Sequence, residues 1–133
     1  MIRYLSVEQI LSLHQSLVGH LSEAGVRDLR SLEYSASRPA TAFEGEDVYP
    51  SLEAKAAVLV QGLVSGGAFF DRGRETAWVA AECFLLANGA SVMASDRDVD
   101  QVLTAMTAGE VGVEGLAVWI RQRLASPRSG RTR

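Results

Sequence analysis

A chain of 133 residues with a net charge of −3, 47% apolar and 22% charged, has the size and composition of one soluble globular domain. That length buries roughly 70% of the unfolded surface without staples, and Cys83, the only cysteine, excludes both a disulfide framework and a four-cysteine zinc site. The mild acidity gives no general attraction to nucleic acid or to an anionic membrane, and no run reaches the roughly 18 apolar residues of a membrane span. Residues 1–5 are too few and too polar for a signal peptide, so the expectation is a cytoplasmic protein.

Ser6-Val7-Glu8-Gln9 has the form of a capping box. Behind it Val7, Ile10, Leu11, His14, Leu17, Val18 and Leu21 share one helical face, and Gly25 is the expected stop. His14 therefore points inward, either as a core histidine bonded to a neighbour or as a support behind a site. His20 falls off that face and reads as solvated. Asp28 caps a short helix that runs to Ala36 and stops before Pro39. From Ala40 to Val48 there is no periodicity, and Glu44, Gly45, Glu46 and Asp47 predict an exposed acidic loop. Tyr49-Pro50-Ser51 opens the next helix with proline in its first turn, and residues 52–64 are apolar on most sides. Lys55 is the single lysine beside twelve arginines, a bias read as coding composition.

A loop rich in glycine and charge follows, Gly66-Gly67-Ala68-Phe69-Phe70-Asp71-Arg72-Gly73-Arg74. Feeding a helix start, such a loop points backbone N–H groups and the positive end of a helix dipole outward, which makes an anion site. Arg72, Gly73 and Arg74 are the candidate phosphate contacts, with Asp71 and Glu75 nearly cancelling their charge. As bare sequence, Asp71 can also be a carboxylate capping the helix behind it. Residues 75–88 are apolar nearly all round, as the centre of a bundle is, and Asn88-Gly89 supplies a left-handed end. Residues 90–93 read as a brief extended link. Ser95 caps a helix carrying Val99, Val102, Leu103 and Met106; its aspartates lack the glycine and glutamate of a calcium loop. Residues 113–124 form a last helix, with Leu116, Trp119, Ile120 and Leu124 inward and Arg121 and Arg123 suiting its dipole. The fold class expected is all-α, a helical bundle over residues 1–125 around a central buried helix. Residues 126–133, Ser-Pro-Arg-Ser-Gly-Arg-Thr-Arg, have no large apolar side chain and read as a disordered basic tail.

The loop resembles the signature of the Fic/Doc family, His-Pro-Phe-x-Asp-Gly-Asn-Lys-Arg-Thr-Ala. Phe69, Asp71, Thr76 and Ala77 match it. Gly67 stands at the family histidine and Ala68 at the proline; Arg72 and Gly73 replace Gly-Asn; Arg74 replaces lysine; Glu75 replaces arginine. Three further stretches are similar to family patterns in the same order: the segment from Arg27 to Ala36, Tyr-Pro-x-x-x-x-Lys-Ala-Ala from Tyr49, and Phe-Leu-x-x-Asn-Gly from Phe84. Relatives also carry a histidine in the first helix, as His14 is here.

The resemblance implies the Fic/Doc fold in its short, toxin-like form. It further implies transfer of a nucleotidyl or phosphoryl group from a nucleoside triphosphate to a protein hydroxyl, and neutralisation by a small antitoxin partner. Asp71 takes the position that holds magnesium in relatives, and the loop after Pro39 borders the cleft for the target protein. Such transfer needs a base, a metal ligand and a phosphate cradle, and Gly67 cannot move a proton. The expectation is a catalytically impaired pseudoenzyme with a degenerate motif, acting through protein binding and needing no cofactor. The alternatives are an active transferase, using magnesium and a nucleoside triphosphate at a site rearranged around Asp71, Arg72 and Arg74, and a regulatory scaffold that binds no nucleotide.

Overall fold

The structure is a computed structural model, and it describes residues 1–19 and 25–125. The placements expected for His20, Leu21 and the tail at 126–133 lie outside the described residues. Among the described residues six α-helices make up the bundle: α1 Val7–Val18, α2 Leu29–Ser37, α3 Leu52–Ser65, α4 Gly73–Ala87, α5 Asp96–Thr107 and α6 Val113–Gln122. The all-α expectation holds. One short hairpin joins α2 to α3, with β1 Ala42–Phe43 antiparallel to β2 Glu46–Asp47.

The local starts are those the side chains dictate. Ser6 accepts from Gln9 N while Gln9 bonds back to Ser6 N, and Asp28, Ser51 and Ser95 accept from Ser31, Ala54 and Asp98 amides. Pro50 therefore precedes the N-cap of α3 rather than lying within its first turn. The end of α1 also differs from expectation: the helix stops at Val18, where Gly19 takes a φ of 65°. The apolar periodicity does run on past this point. A glycine able to adopt positive φ halts the ladder regardless of it.

The central helix is α3, not the segment 75–88. It packs against α2, α4, α5 and α6, and Ala56, Ala57, Val58, Leu59, Val60 and Leu63 are all buried. Small side chains on several of its faces let neighbours come close. At Gly62 a Cβ would stand 2.7 Å from Ser35 Oγ of α2, so that crossing needs glycine. The next helix, α4, buries Ala77, Trp78, Ala81, Phe84 and Leu85, but Leu86 is exposed and Glu82 partly so. Trp78 meets Trp119 of α6 edge to face, with ring centres 5.7 Å apart.

Two clasps close the bundle. The Asn88 side chain, after α4, pairs with both backbone groups of Arg3, at 2.8 and 2.9 Å, and with Phe84 O. The link after α4 pairs with the end of α6 through a Val92–Leu124 bridge, Met93 N donating to Arg123 O and Ala125 N to Ser91 O.

The stretch expected as an exposed acidic loop is exposed, and it is organised as a hairpin. Glu44 and Gly45 both have positive φ, 52° and 84°, which is the tight hairpin turn that suits twisted strands. Strands of two residues are too short to leave a periodic signal. Lys55 holds this hairpin from below. Its ammonium, only 1% exposed, donates to Asp47 Oδ2 at 2.9 Å and to the carbonyls of Tyr49 and Pro39. Arg38 adds bonds to Gln61 and to the Tyr49 hydroxyl.

Candidate functional site

The loop at 66–72 runs from the end of α3 to the start of α4, and a second chain segment lies against it. Val26 bridges Phe69 in antiparallel fashion; Arg27 N and Asp28 N both donate to Ala68 O, at 2.7 and 3.2 Å, and Phe70 N donates to Gly25 O. Ser31 Oγ donates to Gly66 O at 2.8 Å. Ala68 and Phe69 are buried by this stitching, while Phe70, Asp71 and Arg72 face solvent. The loop is thus fixed from beneath and open above.

His14 reaches the loop from α1. Its ring, 2% exposed, stacks on Phe69 at 4.0 Å between centres and 11° between planes. Nε2 lies 3.0 Å from Asp71 O and 3.7 Å from an Asp71 carboxylate oxygen. A carbonyl oxygen only accepts, so Nε2 carries a proton and donates it. Both roles that the sequence left open for His14 are therefore compatible with one geometry, since it is a buried, bonded histidine and also stands directly behind the loop.

Gly67 has a φ of 68°. A Cβ there would run into Nη1 of Arg27, which also donates to Gly67 O at 3.4 Å. Where a side chain would start at this position, the structure has the end of an arginine. Arg27 was missed as a site residue. Its signal was present in the Arg-Asp pair that opens α2, but nothing in sequence spacing says that residues 27 and 67 meet.

At the start of α4, Arg72 occupies the N-cap with a left-handed φ of 56° and makes no side-chain cap. Asp71 does not cap the helix either, so that reading of its carboxylate is overturned. The first helical bond runs from Thr76 N to Arg72 O at 2.9 Å, which leaves the amides of Gly73, Arg74 and Glu75 at the helix end with no partner of that kind. A Cβ on Gly73 would meet only Leu63 O, at 4.0 Å, so a larger residue fits there. Thr76 Oγ1 is buried and has no hydrogen-bond partner among the described residues.

The charged candidates diverge. The Arg74 guanidinium turns toward α5, where Nη2 donates to Asp100 O, Asp100 Oδ1 and Thr104 Oγ1 at 3.2, 3.0 and 2.9 Å. Asp71 and Arg72 project outward with Gly73 behind them. Glu75 lies on the α5 side with Arg74 and lines a groove there. Among the described residues no cluster of three or more His, Cys, Asp or Glu side chains forms a metal cage. Magnesium sites built on phosphates need only one or two carboxylates from the protein, and Asp71 offers one.

A family model described as the Fic/DOC family matches residues 4–85, the span from the first helix through nearly all of α4. The chain is also 40% identical over 101 residues to a protein named Toxin Doc from Mycolicibacterium smegmatis, covering 76% of this chain and 75% of that one.

Proposed function

The chain belongs to the Fic/Doc family, and from this premise we propose that it is a Doc-like toxin-family protein that has lost most or all of the transferase reaction and acts by binding other proteins. The observation that carries this reading is the pair at the motif's head. Gly67 offers no group that can take a proton, and Arg27 occupies the space in front of it. A guanidinium has donors only and no lone pair to accept a proton, so it does not serve as a base. His14, the nearest other candidate, spends its Nε2 proton on Asp71 O below the loop.

The rest of the machinery is thinned but not gone. Asp71 is the residue that would hold magnesium, and the amides of Gly73 and Arg74, with the Arg72 side chain beside them, would meet phosphates of a nucleoside triphosphate. Bound there, magnesium would supply charge neutralisation for the transferring phosphorus centre. Glu75 works against this, because it sets a negative charge beside the same amides. Arg74 is engaged by Asp100 and would have to leave it to reach a phosphate. The second reading, an active transferase with a rearranged site, is favoured by one feature, the uncapped first turn of α4 behind the exposed Asp71. A regulatory scaffold that binds no nucleotide is the third. The partners expected on the family reading are a small antitoxin and a protein target.

One experiment separates the readings. Purified protein is incubated with nucleoside triphosphates labelled at the α or γ phosphate, with magnesium and cell lysate, and nucleotide binding is measured in parallel. The expected result is no labelled protein. Robust labelling that disappears in Asp71→Ala establishes the second reading instead, and absence of any nucleotide binding favours the scaffold.

A further inference from the structure

Two cations anchor the base of the hairpin, and only one of them has a counter-charge. Lys55 is paired with Asp47 at 2.9 Å. Arg38, at the end of α2, is half-buried and held at three points. Its Nη1 donates to Gln61 Oε1 at 2.7 Å, its Nη2 donates to the Tyr49 hydroxyl at 3.1 Å, and the guanidinium lies over the Tyr34 ring, 5.5 Å from its centre. None of these partners is charged. Glu33, Glu44 and Glu46, the glutamates flanking Arg38 in sequence, are exposed, and among the described residues none comes within ion-pair distance of it. The carbonyl end of α2 supplies only a fraction of a negative charge there.

A guanidinium carries five N–H groups in a planar fork, so three of them have no acceptor among the described residues. The Tyr49 hydroxyl accepts from Arg38 and keeps its own proton to donate. An arginine fixed before its anion arrives has little rotamer freedom left to lose, and its fork matches the two oxygens of a carboxylate.

We propose that Arg38 and the Tyr49 hydroxyl form a receptor for a carboxylate, carried on an aspartate or glutamate side chain of a protein partner that lies against the hairpin. The proposal rests on the reading that the protein acts by binding, and it names one contact which that binding uses. The charge count selects the anion. One uncompensated cation matches the single charge of a carboxylate, whereas a phosphate monoester brings nearly two, close to the acidic strand Glu46–Asp47. The setting selects the carrier. Tyr34, whose ring lies under the guanidinium, is 64% exposed, so a protein segment that sets its carboxylate on Arg38 also covers aromatic surface.

The test uses the full chain, isotope-labelled for NMR, and two synthetic peptides, acetyl-Ala-Leu-Glu-Leu-Ala amide and the same peptide with glutamine at its centre. The Arg38 Nε–H signal and the amides of Val48 and Tyr49 are followed. The glutamate peptide is expected to shift all three with a dissociation constant on the order of 1 mM. The glutamine peptide should bind at least about fivefold more weakly. Tyr49→Phe, which keeps the ring, should weaken the glutamate peptide by about threefold or more. Arg38→Lys keeps the charge, loses the fork and should weaken it by about tenfold. Should Arg38→Lys disturb the fold, Tyr49→Phe and the Arg38 signal of the unaltered chain decide. The inference is overturned by equal binding of the two peptides, by no binding, by shifts that leave out Arg38, or by an unchanged affinity in Tyr49→Phe. Inorganic phosphate binding as tightly as the glutamate peptide also overturns it, since the site would then take free anions. Label transfer is scored on the same preparations: labelled protein with the Arg38 shift intact ends the binding-only reading, and an absent shift without labelling ends this contact alone.

Discussion

The guanidinium of Arg27 lies where a side chain on Gly67 would begin. The two positions are forty apart in sequence and joined by a single hydrogen bond of 3.4 Å. The backbone at φ 68° strains any residue with a Cβ and is the fixed obstacle, whereas the Arg27 guanidinium is the end of an exposed, flexible side chain and can swing aside. Gly67→His is expected to lower stability by about 1–2 kcal/mol and to give no label transfer. Adding Arg27→Ala should recover little of that stability in a denaturant titration, since the strain lies in the backbone, and should still give no transfer on the reading that Gly73 and Glu75 hold phosphates poorly. Robust transfer by Gly67→His alone would show that the missing base is the whole deficit.

Arg72 holds a left-handed conformation at φ 56° where the family pattern has glycine. For a residue with a Cβ that conformation costs about 1–2 kcal/mol. Glycine removes the cost and gives back about 0.4–1 kcal/mol through a freer unfolded chain. Arg72→Gly should therefore raise stability, by up to about 1.6 kcal/mol on these figures, whereas Arg72→Ala should not. The urea midpoint at unchanged slope is the measurement. A fall in Arg72→Gly would mean that the arginine side chain makes a stabilising contact that outweighs the strain.

Phe84 is 1% exposed and lies in the core beneath Tyr4, with ring centres 6.1 Å apart. Phe84→Ala is expected to cost about 3–5 kcal/mol, the range for emptying an aromatic site in a packed interior. A loss below about 1 kcal/mol would place that face of α4 at the surface.

Glu82 carries the pH prediction. Its folded carboxyl is raised from the ordinary 4.5 chiefly by burial, so the folded protein binds the proton more tightly than the unfolded chain. The stabilisation from a protonated Glu82 is complete below the unfolded value and is lost as pH rises through the higher folded value. Glu82→Gln should thus melt at a higher temperature than the parent at pH 7, with the difference shrinking toward zero below about pH 4.5. A constant difference across that range would assign the effect to packing rather than to ionisation.

Much of the fold was legible in the sequence because its signals are local. Ser6, Asp28, Ser51 and Ser95 each cap the helix that follows, and the apolar runs of residues 52–64 and 75–88 are both buried helices. Which of those two lies at the centre was not legible, since both are apolar nearly all round and only the packing of α2 and α6 onto α3 decides it. The site divides in the same way. The loop, its glycines and its charges could be read directly, and so could the inward direction of His14. The meeting of Arg27 with Gly67 and the turn of Arg74 toward Asp100 could not, because both depend on how separate helices dock.

The anchoring of the hairpin from below has a chemical consequence. Lys55 is the chain's single lysine, and its amine is enclosed by Asp47, Pro39 and Tyr49. The folded protein accordingly presents no lysine amine to acylating reagents or to enzymes that tag proteins through an isopeptide bond. Attachment at residue 55 requires the hairpin to lift first, so acylation of this one amine would clock the opening of that segment, and any cellular tag that needs a lysine would reach only molecules already partly unfolded.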